Sequence, residues 1–243
     1  MHDTETALRG KTPIWLSIAN AIRSDIADGR YAPGDRLPTE AALATRFGVN
    51  RHTVRHALSK LINENIVRTR RGSGAFVTAK PTDYPIGRRV RFHENLRAAG
   101  RQPEKRVLHI EQRGATCGEA AALKVEAGSL LCTYHGLSLA DGQPIAVFES
   151  LFPLCRLAGI DRIFAQTPSV TEALQRCGVS DFSRVSTRLT ATRATATQAL
   201  HLHVQEGDPL LKSTGLNADA EGTPVEFGRT FFVGDRVTLT LND

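Results

Sequence analysis

Near the start of the chain, Ile14, Ile18, Ile22 and Ile26 recur at every fourth position, with Ala19 filling the stripe. That period puts them on one helix face, Pro13 suits a first helical position and Gly29 supplies a stop, so residues 13–28 are predicted helical. A turn-forming run, Tyr31-Ala32-Pro33-Gly34-Asp35, leads to Thr39, which caps a short helix through Phe47 with Leu43 and Phe47 inward and Gly48 ending it. Asn50 caps a third helix from Arg51 to about Asn63, with Val54, Leu58, Leu61 and Ile62 on the apolar side. Only Gly48-Val49-Asn50 separates the second and third helices, the spacing of a helix-turn-helix. Ile66 to Arg70 then alternates like a strand, Arg71-Gly72-Ser73-Gly74 is a turn, and Ala75-Phe76-Val77 returns, giving a wing with a basic tip.

Beyond the wing the period changes from four to two. Residues 79–90 are polar and proline-punctuated, a linker by composition, and Phe92 to Ala99 reads as a short helix stopped by Gly100. Strands are predicted over 105–113, 129–140, 144–152, 183–193, 209–218, 223–233 and 236–242, with short helices at about 117–123, 169–177 and 195–202. An internal repeat runs through this part. AALKVEAGSLL (121–131) matches ALHLHVQEGDPLL (199–211), with one residue inserted before the Leu-Leu, and GLSLADGQPIAVFE (136–149) matches GLNADAEGTPVEFGR (215–229) at an offset of about 80. Two halves sharing one sheet about a pseudo-two-fold axis follow, and the crevice between them is a natural small-molecule pocket.

Charge assigns a task to the first part. Residues 1–80 hold 13 Lys and Arg against 7 Asp and Glu, which accounts for the whole net charge of +6 of the 243-residue chain. Residues 46–71 carry Arg46, Arg51, Arg55, Lys60, Arg68, Arg70 and Arg71 against Glu64 alone, the footprint of a polyanion binder. Arg51, His52, Thr53 and Arg55 occupy the opening of the third helix, where side chains reach base edges in a major groove. Arg70, Arg71 and Gly72 lie at the wing tip, placed to follow the backbone or minor groove. No apolar run approaches the roughly 18 residues of a membrane span, and the opening MHDTETALRGK lacks a signal-peptide core. Cys117, Cys132, Cys155 and Cys177 have no metal-ligand or disulfide-framework spacing, and they suit a reducing cytoplasm as small buried hydrophobes.

The run PGDRLPTEAALATRFGVNRHTVRHAL with RRGSGAFV closely resembles the winged helix-turn-helix of GntR-type bacterial regulators. The resemblance implies a fold in two parts: a DNA-binding domain over 1–78, a linker over 79–90 and an effector-binding domain over 91–243. By position, Arg51 and Arg55 would contact bases and phosphates, Thr53 a phosphate or base, and Gly72 would form the wing tip. Where some members carry an arginine one residue after the glutamate of the second helix, this chain has Ala41, so one of their contacts is absent or displaced. The strand-rich, duplicated second part resembles the effector domain of the HutC subfamily, a mixed α/β, UTRA-type fold related to chorismate lyase. Within that subfamily, VNRHTVRHAL and TDYPIGRRVRFHENLRAAG resemble the regulators of phosphonate uptake and breakdown.

The same resemblance gives candidate effector contacts. Arg91, Phe92 and His93 open the helix that holds an anion in relatives, and Ser169 matches a phosphate-binding position that would serve equally as an ordinary helix cap. Where phosphosugar-binding relatives have two arginines one residue apart, this chain has Gly136 and Ser138, with His135 as an alternative donor. Glu149 and Glu226 match acidic ligand-binding positions, yet the repeat aligns Glu149 with Arg229 and Glu226 with Ala146, so strand alternation can put the two glutamates on opposite faces. Arg188 and Arg193, on the strand 183–193, are candidate anion partners with the same ambiguity, Arg229 is a further effector-binding candidate, and Phe232 replaces a tyrosine of sugar-binding relatives. No Gly-x-Ser-x-Gly, Walker or Gly-x-Gly-x-x-Gly motif is present, and His201 and His203 chelate poorly from opposite sides of a helix. The expectation is a non-enzymatic, cytoplasmic, homodimeric repressor. It would bind a pseudo-palindromic double-stranded DNA operator and answer to a small anionic effector, without metal or cofactor. Regulation of sugar-phosphate or histidine and urocanate use is the alternative within the subfamily, and a chorismate-lyase-like enzyme with a vestigial head the alternative outside it.

Overall fold

The computed structural model describes residues 12–70, 72, 74–78, 81–87 and 92–241. The chain divides into two compact units, Met1–Lys80 and Pro81–Asp243.

In the first unit, α1 (Ile14–Ala27), α2 (Glu40–Phe47) and α3 (Arg51–Asn63) are followed by an antiparallel hairpin of β1 (Val67–Arg70) and β2 (Gly74–Val77). The caps are those the sequence indicates. Thr39 accepts a hydrogen bond from the Ala42 amide, Gly48 ends α2 in the left-handed region at φ 63°, and Asn50 accepts from the Thr53 amide. Ile18, Ile22, Leu43, Val54, Leu58, Leu61, Val67 and Val77 form one core, with Phe47 and Ile62 at its margin. The α1 stripe departs from its reading at one end: Ile14 is 64% exposed, and Trp15 packs on the core instead, its ring stacked on His56. Asp25, nearly buried on α1, accepts bonds from Arg46 and Arg30 at 2.6 Å each. The hydrogen bond from Arg46 holds its carboxyl below the ordinary value, and the pair ties α1 to α2.

The second unit opens inside the segment read as a linker. Thr82–Pro85 is a strand, β3, with Thr82 and Tyr84 inward. The prolines at 81 and 85 mask it in sequence, because an edge strand paired on one side tolerates them. Next come α4 (Phe92–Ala98), β4 (Pro103–Gly114), α5 (Cys117–Leu123), β5 (Leu130–Ala140), β6 (Gln143–Pro153), α6 (Ile160–Phe164), α7 (Val170–Arg176), β7 (Phe182–Arg193), α8 (Ala196–Leu202), β8 (Pro209–Asp219), β9 (Pro224–Val233) and β10 (Val237–Thr240), the last pairing in parallel with β3. The five-residue α6 has no counterpart in the sequence reading, being too short to show a period.

Six antiparallel strands form the main sheet in the order β4-β5-β6-β9-β8-β7. This order is palindromic: β4-α5-β5-β6 and β7-α8-β8-β9 are two copies of one unit, joined antiparallel along β6 and β9. The register puts Glu149 opposite Arg229, so residues equivalent in the repeat meet across the axis. Local details repeat as well. Thr116 with Glu119 and Thr195 with Gln198 form matching capping boxes, and Lys124 and His203 end the two helices in the left-handed region. Leu131 and Leu210 are equivalent by register, and the extra residue of the second copy lies in the β8–β9 hairpin rather than ahead of the Leu-Leu as the sequence alignment had it. A short hairpin absorbs an insertion without shifting a buried face, which a strand cannot do.

Apolar side chains cover both faces of this sheet. On one, Leu131 and Leu151 pack against Leu123 of α5, and Leu137, Val147 and Val233 against Leu202 of α8. On the other, Tyr134, Phe148, Phe152 and Phe182 pack with Phe164 and Leu174 of α6 and α7, and Ile145 and Phe232 pack with Tyr84, Ile86 and Leu96. Between these last two clusters the face is left open.

Candidate functional site

At the opening of α3, Arg51, His52 and Arg55 are exposed and Thr53 half-buried. Asn50 positions this turn, its Oδ1 accepting from both the Thr53 amide at 2.9 Å and the Thr53 hydroxyl at 3.0 Å. Arg55 is held by Glu40 of α2 through two hydrogen bonds, Nε to Oε1 at 3.2 Å and Nη2 to Oε2 at 2.7 Å. Those bonds hold the Glu40 carboxyl below its ordinary value. A bidentate clamp fixes the guanidinium plane, which a base-edge or phosphate contact requires. At the wing, Gly72 is exposed in the left-handed region at φ 73°, a conformation that lets the backbone turn closely. Arg71 and the Arg70 side chain lie outside the described residues.

The open part of the sheet face in the second unit is a cavity of about 460 Å³. Its floor carries Ser138 of β5, Ser150 of β6, Glu226 and Thr230 of β9, and Ser213 and Asn217 of β8; Lys105 of β4 and Arg184 of β7 enter from the outer strands. Tyr84, Phe92, His93 and Ser169 belong to its walls. Glu226, 8% exposed, accepts from Ser150 Oγ and Asn217 Nδ2 at 2.6 Å each, and Asn217 Oδ1 accepts from Arg184 Nε at 2.7 Å. Lys105 Nζ sits 4.7 Å from the Phe148 ring centre and 5.2 Å from that of Phe92. Burial pushes its ammonium down to about 8, partly offset by the charge of Glu226. Burial also lowers His93, with Lys105 and Arg97 adding to the effect, and raises the Tyr84 phenol.

Of the residues singled out by sequence, Phe92, His93, Ser138, Ser169 and Glu226 come together in this cavity, while Arg91 lies outside the described residues. Ser169 Oγ also accepts from the Glu172 amide, so it is the cap of α7. His135 and Glu149 are on the opposite face, by strand alternation, in a second cavity of about 550 Å³ with His109 and His201. Arg229 is on that side too, donating to Glu149 at 2.5 Å and to Glu119 at 3.1 Å. Arg188 is exposed and lines neither cavity, and Arg193 donates to the Gly207 carbonyl. Among the described residues no group of three or more His, Cys, Asp and Glu could hold a metal ion.

Lys105, Arg184, Ser150, Ser213, Asn217, Thr230 and Tyr84 are among the lining residues that the sequence reading left out. The repeat holds the signal for two of them. Lys105 pairs with Ser138 and Arg184 with Asn217, and Ser138 and Asn217 are equivalent by register, so the two cations are counterparts in the two halves. Carrying the repeat upstream into its first strand exposes this match.

The comparisons with known proteins agree with both units. Residues 16–77 match the family of bacterial regulatory proteins called gntR, and residues 98–238 match the UTRA domain. An uncharacterized HTH-type transcriptional regulator of Rhizobium meliloti (strain 1021) is 39% identical over 94% of each chain. The probable transcriptional regulator PhnF of Escherichia coli (strain K12) is 31% identical over 87% of this chain and 88% of its own. The crystal structure of PhnF from Mycobacterium smegmatis superposes with a TM-score of 0.66 at 24% identity, covering 93% of this chain and 98% of that one. A winged helix-turn-helix joined to a duplicated UTRA sheet, matched along nearly the whole chain, makes this protein a ligand-responsive transcriptional regulator of the GntR family, in the HutC branch.

Proposed function

We propose that the protein represses genes of phosphonate uptake and breakdown, acting in the cytoplasm as a homodimer on a pseudo-palindromic operator. The observation that carries this reading is the likeness to PhnF of Escherichia coli over 87% of the chain, together with a cavity carrying cationic side chains and no arginine pair of the phosphosugar type. Arg51, His52, Thr53 and Arg55, with Arg70, Arg71 and Gly72 of the wing, make the DNA contacts. Phe92, His93, Ser138, Ser169 and Glu226, with Arg91, serve the effector. Two heads are needed because one short reading helix buries too little surface for useful specificity. An anionic effector filling the cavity shifts the population toward a dimer whose heads no longer match the half-sites. The protein has no catalytic role.

The test is fluorescence anisotropy on a complex with the DNA upstream of its own coding sequence, at fixed salt. Phosphate, alkylphosphonates, aminoethylphosphonate, phosphorylated sugars and urocanate are titrated in. Release by phosphonates or their breakdown products alone is expected. Release by a sugar phosphate or urocanate keeps the regulator and overturns the phosphonate assignment.

A further inference from the structure

Five charged residues line the cavity: Glu94 and Arg97 are exposed on α4 at its wall, while Lys105, Arg184 and Glu226 reach it from the sheet. Lys105 Nζ rests between two aromatic rings and, among the described residues, makes no hydrogen bond or ion pair. Among the described residues, Arg184 bonds only neutral partners, Asn217 and Thr187, and no carboxylate lies within ion-pair distance of it. The Glu226 carboxylate, nearly buried, accepts from a hydroxyl and an amide and, among the described residues, has no cation within ion-pair distance. On the sheet side, three charges thus meet in one cavity without forming an ion pair among the described residues, Glu226 buried and Lys105 and Arg184 half-buried. Burying unpaired charge is costly, so such a set persists where a ligand completes it.

The fold explains where the cations come from. At Gly136, a Cβ would lie 2.3 Å from the Phe148 ring; at its counterpart Gly215, 2.0 Å from the Arg184 guanidinium. Any side chain at position 136 collides with Phe148, so the central strand cannot supply the arginine that phosphosugar-binding relatives are expected to place there. The cations enter instead from the two outer strands, one from each half of the repeat, and the glycine at 215 lets Arg184 lie flat across β8.

We propose that this cavity selects a small amphoteric acid, with Lys105 and Arg184 taking its anionic oxygens and Glu226 its ammonium group. This rests on the cavity being the effector site. Two cations and one carboxylate match a ligand with a phosphonate, phosphate or carboxylate head and one amine. The buried hydroxyls of Ser138 and Ser213 are left for the remaining acid oxygens. The depressed ammonium of Lys105 agrees with a group waiting for a counter-charge.

The experiment is isothermal titration of the full-length protein with 2-aminoethylphosphonate, O-phosphoethanolamine and β-alanine, against ethylphosphonate, ethyl phosphate and propionate as their amine-free partners. At least one amphoteric acid is expected to bind tenfold or more tightly than its amine-free partner, and the pair that does so identifies the acid. Lys105→Met and Arg184→Met are each expected to weaken it tenfold or more. Glu226→Gln is expected to erase the advantage of the amine while the amine-free acid binds as well as before or better. Circular dichroism checks that each variant is folded. Equal binding within every pair, no binding of any amphoteric acid at 10 mM, or unchanged affinity in the Lys105 and Arg184 variants overturns the proposal. Ser213→Trp, which fills the cavity, separates the two levels. If a ligand that releases DNA from the wild type still does so from this variant, the cavity is not the effector site. If this variant is blind to the ligand while Lys105→Met and Arg184→Met respond normally, the cavity reading stands and the amphoteric assignment falls.

Discussion

Single residues set what each unit can bind. Arg55 emerges from α3 already clamped by Glu40, so Glu40→Ala is expected to lower operator affinity about three- to tenfold by freeing the guanidinium, with the fold unchanged by circular dichroism. Arg55→Ala is expected to bind operator no better than unrelated DNA of the same length, and normal discrimination by this variant in an anisotropy competition would remove α3 from the reading role. In the cavity, Lys105 supplies a pH signature. Its ammonium titrates at about 8 rather than 10.5, so the charged form dominates below that value and is lost above it. Affinity for a carboxylate ligand, whose own charge is constant there, is therefore expected to be flat from about pH 7 to 8 and to fall by up to about tenfold per pH unit above it. Lys105→Met removes that fall, which distinguishes Lys105 from the other groups facing the cavity: Tyr84, His93, Glu94, Arg97, Arg184 and Glu226. At this scale the sequence was legible where caps and turns decide, as at Thr39, Gly48 and Asn50. It was illegible for Glu149 and Glu226, because which of the two cavities each glutamate faces depends on register, and register depends on pairing partners far along the chain.

Elements show how two repeated halves become one sheet. Arg156 donates to the Leu123 and Lys124 carbonyls at the end of α5 and to the Pro224 carbonyl in the hairpin of the other half. Arg236, its counterpart 80 residues on, donates to the Leu202 and His203 carbonyls at the end of α8 and to the Pro144 carbonyl. Each arginine satisfies open carbonyls of its own helix and locks that helix to the opposite half. Arg236 is buried and Arg156 exposed, so the two are unequal in effect. Arg236→Met is expected to cost about 3 kcal/mol, since buried carbonyls lose their donor, and Arg156→Met clearly less. Urea unfolding followed by far-UV circular dichroism measures both. The only tryptophan, Trp15, lies in the first unit, so its fluorescence transition should stay in place in both variants. The six long strands, the short β10 and four of the five short helices were predictable from period and turn residues. The linker that turned out to hold β3 was not, because its prolines hide a short strand whose inward Thr82 and Tyr84 gain meaning only beside β10.

The whole molecule divides its charge as it divides its tasks. All of the net +6 lies in residues 1–80, and residues 81–243 balance to zero. Binding to DNA and binding to effector should therefore answer to salt very differently. If Arg51, Arg55, Arg70 and Arg71 of each head contact phosphates as proposed, the proposed dimer neutralises on the order of eight of them, and a contact number of that size costs about a thousandfold or more in operator affinity between 50 and 200 mM salt. A monomer presenting one head has half the slope on a logarithmic plot. The slope, read together with the stoichiometry of complex formation, thus tests the proposed homodimer without a structure of the complex. Effector affinity, set inside a half-enclosed cavity by a few charges, should change severalfold at most over the same range. The repeat was visible in the sequence and so was the basic head, because both are written in local patterns. The two cations Lys105 and Arg184 were legible only by carrying the repeat upstream into its first strand, and that they share a cavity with Glu226 was not legible, since it depends on how the sheet is paired. If the salt slope proves to be that of a single head, the effector cannot act by moving two heads out of register. Release would then have to arise within one chain, between a cavity that senses an amphoteric acid and a winged helix that binds DNA alone.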